Sequence, residues 1–211
     1  MWSNIAYYAT LAFESVIGIF GIRLYEEPRY DIVARLGDGV EIRRYAARLA
    51  AQVELSGAGP AKMDDAFRLL FAYIAGANQI KENGGAKIAM TVPVEVRMNE
   101  KLAMTVPVQV SETNDAVRML FYLPAKFSAD AVPKPTDGRV RLVTVPGETI
   151  ATLRYSGSAE DSGARQSELI GILKESQWRP TGTPYLLGYD PPFTLPFLRR
   201  NEAAVAVAEA R

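Results

Sequence analysis

The sequence predicts an α+β fold in which duplicated strand-helix-strand units, related by a pseudo-two-fold, form a distorted antiparallel β-barrel flanked by two main helices, with an apolar helix at the N-terminus. Three observations carry this. Apolar residues alternate in short runs, the period of half-buried strands. Two longer stretches switch to helical spacing. And Val40 to Gly57 (VEIRRYAARLAAQVELSG) aligns without gaps on Val140 to Gly157 (VRLVTVPGETIATLRYSG), each segment ending in Ser-Gly and leading into a helix.

Residues 1–24 form a separate region, apolar from Ile5 to Ile22 but interrupted by Thr10, Glu14 and Ser15. A carboxylate near the middle costs a few kcal/mol of membrane insertion, and no basic leader or Ala-x-Ala site marks a cleaved signal. Two readings stay open: a membrane anchor or interfacial helix over residues 1–23, or a helix packed on its own domain or a second chain. The expected location is accordingly cytoplasmic or membrane-associated. The main domain is 25–211.

From Tyr30 the pattern is strand-like: YDIVARL, the Gly37-Asp38-Gly39 turn, VEIRRY and RLAAQVEL read as a meander. Gly57 to Pro60 breaks the chain. Ala61 to Ala75 then takes helical spacing, with Met63, Phe67, Leu70, Phe71 and Ile74 on one broad face and Gly76 placed to end it. After the Asn78 to Gly85 loop the chain says one thing twice, KIAMTVPVEV at Lys87 to Val96 and KLAMTVPVQV at Lys101 to Val110. Both copies alternate as strands, and Arg97 to Glu100 can close a hairpin between them. Pro93 and Pro107 each remove a ladder donor, which predicts a sheet edge or bulge. Met119 to Leu123 reads as a further strand. The second helix is expected from about Asp161 to Ser176, with Leu169, Ile172 and Leu173 inward and Ser158 with Asp161 as a capping signal. Strands follow near Tyr185 to Tyr189 and Ala203 to Ala208.

Composition narrows the chemistry. The 211 residues are 48% hydrophobic, enough for one well-filled core. Lys plus Arg equals Asp plus Glu at 24 each, so the overall balance gives no positive field for nucleic acid. There is neither Cys nor His. That excludes disulfides, thiolate catalysis, Ser-His-Asp triads and imidazole-held metals or haem iron. Carboxylates, Lys, Tyr, hydroxyls and thioethers remain, a set that suits a binding protein better than most enzymes. Asp64, Asp65 and Asp161 show no acid/base spacing. The GYDPP and RRNE runs read as structural ties rather than as catalytic groups.

The groove between the first helix and the sheet is the expected ligand wall. Met63, Phe67, Leu70, Phe71 and Ile74 would line it from the helix, and Met90 and Met104 from the strands.

These landmarks in order resemble the SOUL haem-binding family: YDIV and VEIRRY, then Phe67 followed by YIAGAN at Tyr73 to Asn78, KIAMTVPV at Lys87 to Val94, FYLP at Phe121 to Pro124, GYDPP at Gly188 to Pro192 and RRNE at Arg199 to Glu202. The resemblance covers roughly Tyr25 to Val207. It implies a pseudo-symmetric α+β barrel that binds haem or free porphyrin in a hydrophobic cleft beside the first helix, as a non-enzymatic carrier or buffer. It also implies kinship with multidrug effector-binding domains, so another amphipathic small molecule is the competing ligand class; a Glu/Tyr-based hydrolase is a third reading. The missing His departs from an axial-ligand mode ascribed to some members. Iron would then take a thioether of Met63, Met90 or Met104, the Tyr73 phenolate, a Lys amine, or no protein ligand. Lys62, Arg68 and Lys87 are the candidates to pair propionates. Burial of a few hundred Å² at about 25 cal/mol per Å² supports roughly micromolar binding without an iron bond.

Overall fold

The computed structural model describes residues 25–79, 85–98, 116–158, 161–190 and 194–210. Strands β1 (Tyr30–Arg35) and β2 (Val40–Tyr45) form a hairpin over a 3-10 turn at Gly37–Gly39. Then come β3 (Arg48–Ser56), α1 (Pro60–Ala75), β4 (Asn78–Gln79), β5 (Val94–Met98), β6 (Ala116–Tyr122), β7 (Lys134–Pro135), β8 (Val140–Val145) and β9 (Glu148–Tyr155). The chain continues with α2 (Ser162–Lys174), β10 (Trp178–Pro180), β11 (Tyr185–Gly188) and β12 (Asn201–Glu209). Among the described residues one antiparallel sheet runs β1-β2-β9-β12-β11-β5-β6-β3-β8, with β10 also on β12, and β4 and β7 make a separate pair. The described residues form an α+β fold, a curled antiparallel half-barrel with two α-helices.

The pseudo-two-fold is visible in the register. Only Ala46-Ala47 separates β2 from β3, and only Pro146-Gly147 separates β8 from β9. Such short gaps suggest hairpins, hence the expected meander. The structure corrects it: β2 pairs with β9 and β3 with β8, and the register passes both corners without a slip, Tyr45 opposite Glu148 and Arg48 opposite Val145. Each pair of strands is therefore one long bent ribbon that pairs with its duplicate. A Cβ at Gly147 would stand 3.2 Å from the Tyr45 carbonyl oxygen, so the ribbons cross closely at a residue with no side chain. Because these ribbons occupy both ends of the strand order, their bends curl the sheet.

Both helices cover the same face. From α1, Ala66, Leu70, Tyr73 and Ile74 are buried against Ala51, Val53, Val117, Met119 and Phe121. Each large apolar side chain so buried contributes about 1.5–3 kcal/mol. Gly76, at φ 123°, ends the helix in a conformation open to glycine, its N–H returning to Ala72 and Tyr73 carbonyls. From α2, Leu169 and Leu173 pack with Val40, Ile42, Leu153 and Val205. Asp161 stands at its N-cap and accepts the Ser158 N–H at 3.2 Å.

The first MTVPV copy is only partly strand. Thr91 forms an isolated bridge with Glu26, the Val92–Pro93 peptide is cis, and regular pairing begins at Val94. The sequence places Pro93 at an edge or bulge; instead it immediately precedes β5, an interior strand between β11 and β6, where the ladder does not yet need its missing N–H. Arg97 and Met98, expected in the hairpin turn, instead continue β5 opposite Arg118 and Val117; the rest of that turn, the second copy with Met104 and Pro107, and the N-terminal segment lie outside the described residues.

Candidate ligand-binding site

The face of α1 divides into two stripes. Leu70 is 0%, Tyr73 1% and Ile74 3% exposed, so these three belong to the core. One position round the helix, Met63, Phe67 and Phe71 are only partly buried on the same cluster. Phe67 and Phe71, four residues apart, hold their rings 6.0 Å apart and within 13° of parallel, and Phe67 meets Phe121 edge-on at 5.3 Å. Met90 is likewise half-buried against this cluster. Its segment is pinned to the end of α1: the Ile88 N–H donates to the Ile74 carbonyl at 2.8 Å. Buried Asn78 donates through Nδ2 to the Tyr73 and Ala86 carbonyls, both at 2.7 Å, and accepts the Ala86 N–H at 2.8 Å. The YIAGAN landmark is thus a clamp behind a half-open shelf of two phenyl rings and two thioethers.

The remaining sequence candidates fall as follows. The Tyr73 hydroxyl is buried and donates to the Pro133 carbonyl at 2.8 Å, and burial pushes its pKa up to about 12. Lys62 and Lys87 are half-buried and Arg68 is exposed. Met104 lies outside the described residues. No group of three or more His, Cys, Asp or Glu side chains that could hold a metal occurs among the described residues.

Sequence reasoning missed a second constellation on the opposite, inner face of the sheet. Glu202, fully buried on β12, accepts Arg43 at 2.6 and 3.2 Å, the Tyr189 hydroxyl at 2.7 Å and Arg200 at 2.8 and 3.1 Å. Burial pushes the Glu202 carboxyl up, but the hydrogen bond and charge of Arg43, then Arg200 and Tyr189, outweigh it and hold it below the usual carboxylate range. Glu95 on β5 accepts the Tyr122 hydroxyl at 2.5 Å and Arg97 Nε at 2.6 Å. Arg48 lies over the rings of Tyr45 and Tyr122, 4.2 and 4.4 Å from their centroids, and pairs with Glu148, whose carboxyl burial raises. The signal was present: a glutamate inside an apolar alternation, VEV and NEAAV, on a sheet whose two faces are both covered.

Comparison with known proteins follows these landmarks. Solved structures share the fold at low identity: an uncharacterized conserved protein from Listeria innocua (TM-score 0.57, 12% identity, 81% of this chain and 93% of that one), the EcmrR C-terminal domain (0.60, 11%, 86% and 99%) and a hydrolase from Listeria innocua (0.54, 12%, 82% and 94%). No curated protein matches the chain in sequence. The family model described as SOUL heme-binding protein matches residues 25–206, nearly all of the domain that carries the shelf, the clamp and the buried glutamates, and the chain therefore belongs to the SOUL haem-binding family.

Proposed function

We propose that this domain binds a tetrapyrrole, haem or metal-free porphyrin, on the shelf formed by Met63, Phe67, Phe71 and Met90, as a carrier or buffer with no catalytic step. Family membership supports the ligand class; the observation that carries the site is the pair of near-parallel, half-exposed rings of Phe67 and Phe71. A flat macrocycle can stack on such rings and draw affinity from apolar burial. With no imidazole in the chain and the Tyr73 hydroxyl engaged with Pro133, iron would take a thioether of Met63, Met90 or Met104, a Lys amine, or no protein ligand. Lys62, Arg68 and Lys87 would pair the propionates. Titration with haemin and with protoporphyrin IX tests this. A Soret shift and tryptophan quenching with comparable micromolar affinity for both is expected; unchanged spectra at about tens of micromolar would remove the reading.

A hydrolase reading has one observation in its favour, the burial-raised Glu148 carboxyl near Tyr45 on the inner face. Against it, Glu95, Glu148 and Glu202 each have an arginine partner, which suits a structural network. Thermal-shift screening of dyes, lipids and porphyrins separates the other amphipathic ligands from tetrapyrroles. For residues 1–23 we keep contact with a membrane surface as a proposal. No helix among the described residues is long and apolar enough to cross one. Detergent-free fractionation with and without that segment is its test, and equal partitioning to the soluble phase defeats it.

A further inference from the structure

Between β11 and β12 the chain makes a 3-10 turn, Pro196–Leu198, that carries the most exposed large apolar side chain among the described residues. Phe197 is 71% and Leu195 38% exposed, and Pro196 between them is exposed as well. Single apolar residues are ordinary on a protein surface, but three in a row at the tip of one turn are a patch. The turn is built to hold them out. Thr194 at its base is fully buried, its carbonyl accepts Arg199 Nε at 2.7 Å, and the Arg200 N–H donates to Asp190 at 2.6 Å. Main-chain donors at the tip are withdrawn from the outside. Pro196 has none, and the Leu198 and Arg199 N–H groups return to the Leu195 carbonyl at 2.8 and 3.1 Å. An apolar tip with its donors turned inward suits hydrocarbon, where a bare backbone N–H is costly.

A second observation says what covers it. Arg200, three residues after Phe197, donates to the Glu27 carboxylate at 3.0 and 3.3 Å, and the Glu26 carbonyl accepts the Val92 N–H at 3.0 Å. Tyr25, where the apolar run Ile5 to Ile22 joins the described domain, is therefore tied beside this turn. We propose that Leu195, Pro196 and Phe197 are a membrane-contact knuckle that dips into the apolar edge of a phospholipid bilayer, next to the root of residues 1–24. The domain is then held to the surface at two points. This rests on the membrane reading of residues 1–23. Charges beside the knuckle are of both signs, Arg199 and Arg200 with Asp190 and Glu27, so apolar insertion rather than attraction to anionic lipid drives the contact.

The chain has no Cys, so Leu195→Cys gives a single thiol for the polarity-sensitive fluorophore NBD. Gln177→Cys, exposed at the opposite end of β12 beside Ala210, is the reference site. With full-length protein and phosphatidylcholine vesicles, NBD at 195 is expected to brighten and shift to the blue saturably, and NBD at 177 to stay unchanged. Added Phe197→Ser, on an exposed ring, weakens vesicle binding at least about tenfold and leaves thermal unfolding unchanged. Phosphatidylglycerol and high salt change binding little. Vesicle binding with the label at 195 silent, or undiminished in Phe197→Ser, overturns the knuckle and leaves the reading of residues 1–23 in place. Binding to neither vesicle type overturns both. A signal at 195 that grows with protein concentration in the absence of lipid overturns the bilayer as occupant and assigns the turn to a second copy of the chain.

Discussion

Arg43 on β2 and Glu202 on β12, 159 residues apart in the chain, meet at 2.6 Å with both side chains buried. Both strands flank β9, so this pair bridges across that strand. Tyr189 and Arg200 complete the shell round the same carboxylate, and Asp190 accepts the Arg200 N–H at 2.6 Å. The GYD and RRNE signatures are thus two sides of one buried charge cluster. The cost of burying such charges is offset only while every member keeps its partners.

Glu202→Gln is expected to cost about 3–5 kcal/mol at neutral pH, because it removes the buried charge that Arg43 and Arg200 share and leaves buried Arg43 with only the half-buried Glu41. The pH dependence follows from the lowered carboxyl. In the unfolded chain a glutamate titrates at about 4.3, and in the folded protein Glu202 titrates below its ordinary value. Its stabilisation is therefore fully present above the unfolded value and is lost as pH falls through the folded one. Urea midpoints of wild type and variant should lie far apart at pH 7 and converge as pH falls below the ordinary glutamate range. A gap that does not change with pH would show that the charge is not what holds the cluster.

Asn78→Ala removes three hydrogen bonds at once, to the Tyr73 carbonyl and to both main-chain groups of Ala86. At about 0.5–1.5 kcal/mol each, the loss should be about 1.5–4.5 kcal/mol in denaturant unfolding, the Tyr73 carbonyl keeping the Gly76 N–H. Porphyrin affinity should fall as well, since the clamp holds the segment that carries Met90. Unchanged affinity in the folded variant would place Met90 away from the ligand.

What was legible in the sequence is what depends on local period. The α1 stripe, its Gly76 terminus and the runs that became β1, β2, β3 and β12 all follow from spacing alone. Long-range pairing was not legible: Ala46-Ala47 looks like a tight connection between paired neighbours, and nothing local says that the partner of Tyr45 is Glu148. The duplicated segments Val40 to Gly57 and Val140 to Gly157 held that information, since two copies of a bent ribbon can pair with each other about a two-fold. Glu95 and Glu202 were missed because a charged residue in a strand ordinarily marks the solvent face. On the shelf, period put Leu70 and Phe71 in one stripe, and only the angle at which α1 lies on the sheet separates core from wall.

Tyr73→Phe should cost about 1 kcal/mol, the worth of the hydrogen bond to the Pro133 carbonyl. The haem spectrum should not change. A Soret band altered in this variant and not in Met90→Ala would mean that the hydroxyl leaves Pro133 to reach the iron.

Leu70 and Phe71 are adjacent in sequence, and their fates on truncation should differ. Leu70 is 0% exposed beneath α1, so Leu70→Ala should cost about 2–5 kcal/mol through transfer and cavity terms. Its folded fraction should still bind porphyrin with near wild-type affinity. Phe71 is half-exposed and stacked on Phe67, so Phe71→Ala removes less buried surface and should cost under about 2 kcal/mol. It takes away one of the two rings on which the macrocycle rests, and protoporphyrin affinity should drop about tenfold at a temperature where both variants are folded. Thermal unfolding and porphyrin titration on the same samples check both halves. The opposite pattern, with binding lost in Leu70→Ala and kept in Phe71→Ala, would move the ligand from the open shelf into the core beneath the helix.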